Sequence, residues 1–274
     1  MIKNVIASVG AAARRLISNW QASLLILGLY LVMLLAAYLF LSTMVATVGQ
    51  LIINAITVLI VPVIFFVIQG MAVRYMAYDP GADQSRAVPL MISSLKGFWR
   101  LVVISIPVFL LAWLLVYLLG KIPASTVAVA HEAVRTTAGT GRAAPRPVPQ
   151  PTDWRGVAVT ALQFLLFGIV LPLAAVNLWI ATAREGLGQA IKRAHRTLYK
   201  SFAPGPLLIY LIGLLLFGLV PYLLVGMRPP IKGELIEVGQ LGVQLLVAAI
   251  LILFGWILTL GALTQRQNLE AAAK

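Results

Sequence analysis

The sequence predicts an all-α, polytopic integral membrane bundle of about six transmembrane helices with three basic amphipathic helices at the membrane interface. Three observations carry this prediction. Of the 274 residues, 61% are hydrophobic and 11% are charged, too few charges to coat a water-soluble surface. The apolar residues fall into six long blocks, and the mean hydropathy is +0.98. The basic residues cluster beside those blocks.

Each apolar block is long enough to cross the roughly 30 Å hydrocarbon core, which takes about 20 helical residues. Continuous apolar runs favour helices, because the strands of a barrel alternate every second residue. Proline at Pro62, Pro107, Pro172 and Pro221 predicts kinks inside or near the ends of these helices. We place the spans at residues 21–47, 50–72, 101–119, 157–181, 206–227 and 239–263.

The distribution of Lys and Arg predicts which side of the membrane each connection faces. Of the 21 such residues, fourteen lie in the termini and in the second and fourth connections, against seven on the other side. The positive-inside rule therefore predicts cytoplasmic termini, in what we expect to be a bacterial cytoplasmic membrane. The first apolar block is too long for the apolar region of a cleavable signal peptide.

Three basic segments precede the first, third and fifth spans. Each places apolar residues at i, i+3, i+4 and i+7 with Lys or Arg on the opposite face, which is typical of helices lying in the membrane interface. The segments are residues 1–19, 86–100 and 187–202. Aromatic residues at the ends of these segments are predicted to anchor the spans at the level of the lipid headgroups, and they are Trp20, Trp99 and Phe202.

The similarity of these segments predicts an internal repeat within a single membrane domain, residues 1–274. Each unit would be an interfacial helix followed by a two-span hairpin; chance similarity between basic segments is the alternative. The three units are residues 1–72, 84–181 and 186–263.

A long connection at residues 120–156 has a different composition. Proline occupies every second position from Pro145 to Pro151, which favours an extended polyproline II rod. We interpret this segment as an extracytoplasmic loop, which is either a solvated linker or an arm that docks on a partner.

The predicted spans contain no ionisable residue at mid-depth, because all eight acidic residues lie in connections or tails. Buried ionisable groups mark proton relays and ion-coupled carriers, so this pattern argues against such transport. Amides within the spans either form interhelical hydrogen bonds or line a cavity for a polar group. The candidates for cavity lining are Asn54, Asn177 and Gln244.

The residues that catalysis or metal binding requires are missing or isolated. Cysteine is absent, and His131–Glu132 lacks the second histidine of a zinc-protease motif. Asp79 and Asp83 flank a turn and are the only candidates for a catalytic centre. We therefore expect no enzyme activity, no cofactor and no metal. The net charge of +13 is explained by membrane topology and does not predict nucleic-acid binding.

The basic cytoplasmic segments favour contact with anionic phospholipid or with an acidic partner. The residues predicted to make these contacts are Arg14, Arg15, Lys96, Arg100, Arg184, Glu185, Lys192, Arg193, Arg196 and Lys200. The leading hypothesis is a non-enzymatic membrane subunit or scaffold that engages anionic lipid, a protein partner or further copies of itself. The alternative is a transporter or channel for lipid or a neutral solute.

Residues 183–202 (AREGLGQAIKRAHRTLYKSF) combine a Glu, small residues and a basic helix before an apolar span. This segment resembles the cytoplasmic stretch of bacterial six-span membrane domains fused to glycerophosphodiester phosphodiesterases, and of related families of unknown function. The resemblance implies an accessory membrane domain that interacts with lipids or supports partner proteins. The chain has no phosphodiesterase catalytic domain, so no catalytic residue carries over.

A second resemblance concerns the position of Glu185. Permease subunits of ABC transporters carry a Glu-Ala-Ala loop between their fourth and fifth spans, and that loop docks on the ATPase. Glu185 lies in the matching connection, but Glu185–Gly186–Leu187 departs from the motif, and its closing Ile-x-Leu-Pro is missing. This departure weakens the expectation of ATPase docking.

Overall fold

The computed structural model describes residues 2–18, 20–42, 47–77, 86–121, 154–227 and 234–272. The helices are α1 (Ile2–Ser18), α2 (Trp20–Ser42), α3 (Val48–Ala77), α4 (Ala87–Gly120), α5 (Trp154–Gln163), α6 (Leu171–Glu185), α7 (Leu187–Lys192), α8 (Ala194–Ser201), α9 (Pro204–Leu214), α10 (Val220–Gly226) and α11 (Glu234–Ala272). Two π-helical segments, Phe164–Val170 and Leu215–Leu219, join α5 to α6 and α9 to α10. These described ranges contain no strand, which confirms the all-α prediction.

Six helical stretches are long and apolar enough to cross a membrane, and they correspond to the six predicted spans. They are Trp20–Ser42, Val48–Met76, Ala87–Gly120, Trp154–Glu185, Pro204–Gly226 and Ile236–Gln267. Large apolar side chains are exposed on them, with Leu59 71% exposed, whereas polar Asn177 and Thr182 are buried. A water-soluble monomer does not expose apolar surface on this scale. The chain is therefore an integral membrane protein.

The chain divides into two compact units: unit 1 comprises Met1–Ile106 and Leu173–Lys274, and unit 2 comprises Pro107–Pro172. In unit 1, the long helix α11 contacts α1, α2, α3, α9, the second π-helical segment and α10. In unit 2, the rings of Trp113 and Tyr117 stack with their centroids 6.2 Å apart. The predicted three-unit repeat stays a prediction.

Glycines on α11 permit its close contacts with neighbouring helices. A Cβ atom at Gly261 would lie 2.8 Å from the sulfur of Met76 and 2.9 Å from the Cβ of Ala12. A Cβ atom at Gly255 would lie 3.1 Å from the backbone nitrogen of Phe217. Small residues of this kind let backbones approach closely, which stabilises helix packing where the hydrophobic effect between spans is weak.

Two interhelical hydrogen bonds satisfy indole groups inside unit 1. The Trp179 Nε1 donates to Ser105 Oγ at 2.7 Å, and the Trp256 Nε1 donates to Gln69 Oε1 at 2.8 Å. Each bond fixes one helix against another, since an indole N–H left unpaired in a low-dielectric interior is costly.

Hydrogen bonds also join α1, α3 and α11 where α3 ends. Arg15 Nη1 donates to the Met76 carbonyl at 2.7 Å, and Gln265 Nε2 donates to the same oxygen at 3.3 Å. The Tyr75 hydroxyl donates to the Arg15 carbonyl. Because the last carbonyls of a helix have no partner within it, the Arg15 and Gln265 side chains complete the end of α3, and the Tyr75 hydroxyl completes the end of α1. We call this region of unit 1 the basic end; it comprises the C-terminal ends of α1, α3, α6 and α11 together with α7 and α8.

Two of the four intramembrane prolines adjoin the π-helical segments. Leu171 and Val220, just before Pro172 and Pro221, donate their backbone N–H groups five residues back, to Leu166 and Leu215. A proline removes the N–H that would bond four residues back, and a wider π turn accommodates that loss. Pro62 and Pro107 lie inside α3 and α4 without ending them.

The interfacial segments differ from prediction in extent. The first is a separate helix, α1, but residues 87–100 of the second segment belong to α4 and run directly into the third span. No helix-stopping arrangement lies between Lys96 and Leu101, so the helix continues. The third segment forms two short helices, α7 and α8, with a break at Arg193. The Pro-rich loop, Asp79, Asp83, His131 and Glu132 lie outside the described residues.

Candidate functional site

The turn at Gly186 positions the charged residues of the basic end. Gly186 has φ +81°, a left-handed conformation that favours glycine, and its N–H bonds the Thr182 carbonyl at 3.1 Å. The turn ends α6, and α7 begins at once, with the Ala190 N–H bonding the Gly186 carbonyl at 3.0 Å. The chain thus brings the end of α6 beside α7 and α8.

A cavity of about 370 Å³ lies at this end of unit 1, between α6, α8, α9 and α11. We call it the first cavity. Among the described residues, five cationic side chains line it against one carboxylate: Arg184, Arg193, Arg196, Lys200 and Arg266, with Glu185. Ala181, Pro206 and Leu263 supply an apolar part of the same lining. The cavity is therefore both strongly cationic and partly apolar.

The single carboxylate compensates little of this charge. Glu185 Oε2 lies 3.2 Å from Arg193 Nη1, and the two side chains are 43% and 61% exposed. An ion pair this exposed is worth about 0–1 kcal/mol, because water screens it. The described lining of the cavity therefore keeps a net positive charge, which attracts an added anion.

An amide network forms the polar base of the first cavity. Gln267 Nε2 donates to Asn177 Oδ1 at 3.0 Å, and Asn177 Nδ2 donates to the Leu173 carbonyl at 2.8 Å. Arg184 Nη1 lies 3.5 Å from Gln267 Oε1, at the limit of a hydrogen bond. Because Asn177 is only 2% exposed, these bonds satisfy a buried group and hold α6 against α11.

Gly205 makes room for one of the cations. A Cβ atom at this position would overlap the guanidinium of Arg266, which lies directly over the glycine backbone. Only a residue without a side chain leaves this space, so the start of α9 helps to place Arg266 in the first cavity.

The structure brings together half of the ten predicted contact residues. Those that line the first cavity are Arg184, Glu185, Arg193, Arg196 and Lys200. Arg100 lines a second, smaller cavity, and Arg15 completes the end of α3. The other three are exposed and line neither cavity: Arg14, Lys96 and Lys192.

The predicted anchors are all exposed, at 61% for Trp20, 48% for Trp99 and 41% for Phe202. The Trp99 ring also faces the Arg100 guanidinium at 5.7 Å. An exposed aromatic ring beside a cation suits the headgroup level, and the anchoring role itself stays a prediction.

The three amides predicted to line one cavity are far apart. Asn177 lies at the basic end, where it bonds Gln267. Gln244 is about 35 Å further along α11, at 1.5 Å per residue, and Asn54 is about 33 Å along α3 from Met76. Gln244 Nε2 instead donates to the Met227 carbonyl at 2.9 Å. These positions do not fit the alternative in which all three amides line one mid-membrane cavity, although Asn177 by itself lines the first cavity.

Sequence reasoning missed Arg266, Gln267 and Thr197 as cavity residues. One signal was present, because positions 193, 196, 197 and 200 follow the i, i+3, i+4, i+7 pattern of a single helical face. Nothing local links that face to the end of α11, which is more than sixty residues away in the chain.

The arrangement is suited to binding an anion. Guanidinium groups can form paired hydrogen bonds to phosphate or carboxylate oxygens. Among the described residues, no group of three His, Cys, Asp or Glu side chains could hold a metal ion. Comparisons with protein-family models, with curated proteins and with solved structures found no match for this chain.

Proposed function

We propose that the protein is a non-enzymatic integral membrane subunit or scaffold whose first cavity binds the headgroup of an anionic phospholipid. The observation that carries the proposal is the cluster of five cations against one carboxylate in a single cavity. Each basic residue at the headgroup level attracts anionic lipid by about 1 kcal/mol. The apolar lining from Ala181, Pro206 and Leu263 suits the start of the acyl chains.

The expected result is lipid selectivity. In neutral detergent, native mass spectrometry of the intact protein should show phosphatidylglycerol retained about tenfold or more over phosphatidylcholine of the same acyl chains. Raising the salt concentration should reduce the preference, because ions screen exposed charges. Equal retention of the two lipids would contradict the proposal. An acidic protein that co-purifies and displaces the lipid would assign the basic end to a partner instead.

The proposed orientation places the basic end and both termini in the cytoplasm, following the positive-inside rule. The chain contains no cysteine, so a single introduced cysteine is the only thiol that a labelling reagent can modify. Ser42 lies at the end of α2 and is exposed, and Tyr199 on α8 is 85% exposed. In intact cells, a membrane-impermeant thiol reagent should label Ser42→Cys and should reach Tyr199→Cys only after permeabilisation. The reverse order would invert the proposed topology.

A lipid carrier is the second candidate function. An apolar cavity of about 480 Å³ lies beside the π-helical segment Leu215–Leu219 in unit 1, with Gly218, Pro221 and Ala248 in its lining. π-helical turns occur often at functional sites because they disturb the regular helix. Transfer of labelled phospholipid between vesicle leaflets, faster with the protein than without it, would favour this candidate.

A further inference from the structure

A second cavity, of about 270 Å³, lies in unit 1 between α3, α4 and the end of α6. Three guanidinium groups and one carboxylate line it: Arg74, Arg100 and Arg184, with Glu185. Arg184 and Glu185 are shared with the first cavity, whereas Arg74 and Arg100 are not. The two cavities therefore share Arg184 and Glu185 but differ in their other cations.

Ser94 is the unusual residue of this second cavity. It is 1% exposed, it belongs to the lining, and its hydroxyl has no hydrogen-bond partner among the residues that the structure describes. Six other buried hydroxyls on the helices donate to the carbonyl four residues earlier, namely Thr57, Ser105, Thr182, Ser201, Thr259 and Thr264. A buried hydroxyl that forgoes this bond is costly unless a ligand supplies the partner.

Two glycines shape the space around these groups. A Cβ atom at Gly97 would overlap the guanidinium of Arg74, so the glycine leaves room for that side chain. A Cβ atom at Gly70 would lie 3.5 Å from the Cβ of Ser94 and 3.7 Å from its oxygen. Gly70 on α3 thus leaves room for the Ser94 side chain and Gly97 on α4 for the Arg74 guanidinium, and both groups belong to the lining of the second cavity.

We propose that the second cavity binds a phosphate monoester group, with the Ser94 hydroxyl donating to a phosphate oxygen. Among the residues that the structure describes, three guanidinium groups and one carboxylate line the cavity, a difference of two positive charges within that part of the chain. A phosphate monoester carries about −1.5 to −2 near pH 7 and three acceptor oxygens, so charge and hydrogen bonding both match. A phosphodiester carries one charge and fits less well. The site stands independently of the proposed function, because Ser94, Arg74 and Arg100 do not line the first cavity.

The test is titration of the full-length protein in neutral detergent with inorganic phosphate and, separately, with phosphatidate. Ser94→Ala should lower the affinity for inorganic phosphate or phosphatidate, whichever the wild type binds, by about tenfold. This is the loss expected for one hydrogen bond to a charged group. Ser93→Ala is the matched control, since the neighbouring hydroxyl bonds the Leu90 carbonyl and does not line the cavity. Without ligand, Ser94→Ala should melt no lower than wild type, because the lost hydroxyl has no partner in the described structure.

Binding of inorganic phosphate that depends on Ser94 would identify a soluble phosphate as the ligand. Binding of phosphatidate alone, with the same dependence, would identify a lipid headgroup. If Ser94→Ala destabilises the protein, Gly97→Ala provides a second variant, because it displaces Arg74 and should also weaken binding. Gly10→Ala is its control, since a Cβ atom there meets nothing within 4 Å.

Unchanged binding in Ser94→Ala and Gly97→Ala would overturn the inference. If binding is lost only when Arg196 and Arg266 are replaced, the phosphate binds in the first cavity. That result would also overturn the inference about the second cavity, but it would leave the proposed function intact. Binding that depends on Ser94 in a protein without preference for phosphatidylglycerol would support the second cavity and refute the proposed function.

Discussion

Replacing both Arg196 and Arg266 with glutamine is expected to lower the affinity for phosphatidylglycerol about 30-fold. The two side chains line the first cavity from α8 and α11. At about 1 kcal/mol for each basic residue at the headgroup level, the pair contributes about 2 kcal/mol, which corresponds to this factor. Glutamine keeps a polar group that can donate hydrogen bonds, but it is uncharged and two bonds shorter, so the change removes the charge and part of the reach of each side chain. Lipid titration followed by native mass spectrometry measures the affinity directly.

The matched control for this double variant is Arg14→Gln with Lys192→Gln. Both residues are exposed and line neither cavity, and their replacement changes the net charge by the same amount. We expect the affinity of the control variant for phosphatidylglycerol to fall about threefold or less, since long-range attraction between exposed charges is screened. If the two double variants lose affinity equally, the attraction is spread over the whole basic end and the cavity has no special role.

The largest effect on stability is expected from Gly261→Val. A Cβ atom at this position already lies 2.8 Å from the Met76 sulfur and 2.9 Å from the Ala12 Cβ, and valine adds two further methyl groups. Overpacking of this kind costs about 1–3 kcal/mol, and we expect the upper end because α1, α3 and α11 meet there. Thermal unfolding in detergent, followed by tryptophan fluorescence, reports the loss.

Gly239→Val provides the comparison on the same helix, because a Cβ atom there meets nothing within 4 Å. Its melting temperature should stay close to that of the wild type. Equal losses at the two positions would mean that the cost arises from the helix backbone, and the close packing of α11 would then not stabilise the bundle.

The spans could be predicted from the sequence because long apolar blocks are a local property. The second span shows how closely its bounds could be predicted: residues 50–72 were predicted, and the helix runs from Val48 to Ala77. Its last turn contains Arg74 and Tyr75, whose polar groups end an apolar pattern without ending the helix. Helix ends depend on caps and tertiary partners, such as Arg15 at Met76, which an apolar pattern does not contain.

The candidate site could be predicted only in part, for a related reason. The basic face of α8 and the charges of Arg184 and Glu185 lie close together in the chain, so a helical pattern captures them. The bond between Asn177 and Gln267 joins residues 90 positions apart, and it depends on how α11 packs against α6. Asn54 and Gln244 also carry amide groups and have a similar predicted depth, but they lie far from the basic end along α3 and α11, where Gln244 bonds the Met227 carbonyl.

The second cavity lay beyond sequence reasoning altogether. Serine at position 94 is unremarkable in a basic segment, and its neighbour Ser93 bonds the Leu90 carbonyl in the ordinary way. Only the placement of α3 against α4 shows that one of these two hydroxyls is buried beside three arginines. A pattern in one helix contains no information about what the facing helix supplies.

Headgroup binding in the first cavity is tested most directly by a density map of the full-length protein in nanodiscs that contain phosphatidylglycerol. A rigid antibody fragment bound to the protein makes the particle large enough for this map. We expect headgroup density within hydrogen-bond distance of Arg196 and Arg266, and we expect that density to be lost when both residues are replaced with glutamine. The proposed function would be contradicted if the first cavity held no headgroup density in a map that resolves phosphatidylglycerol elsewhere around the spans.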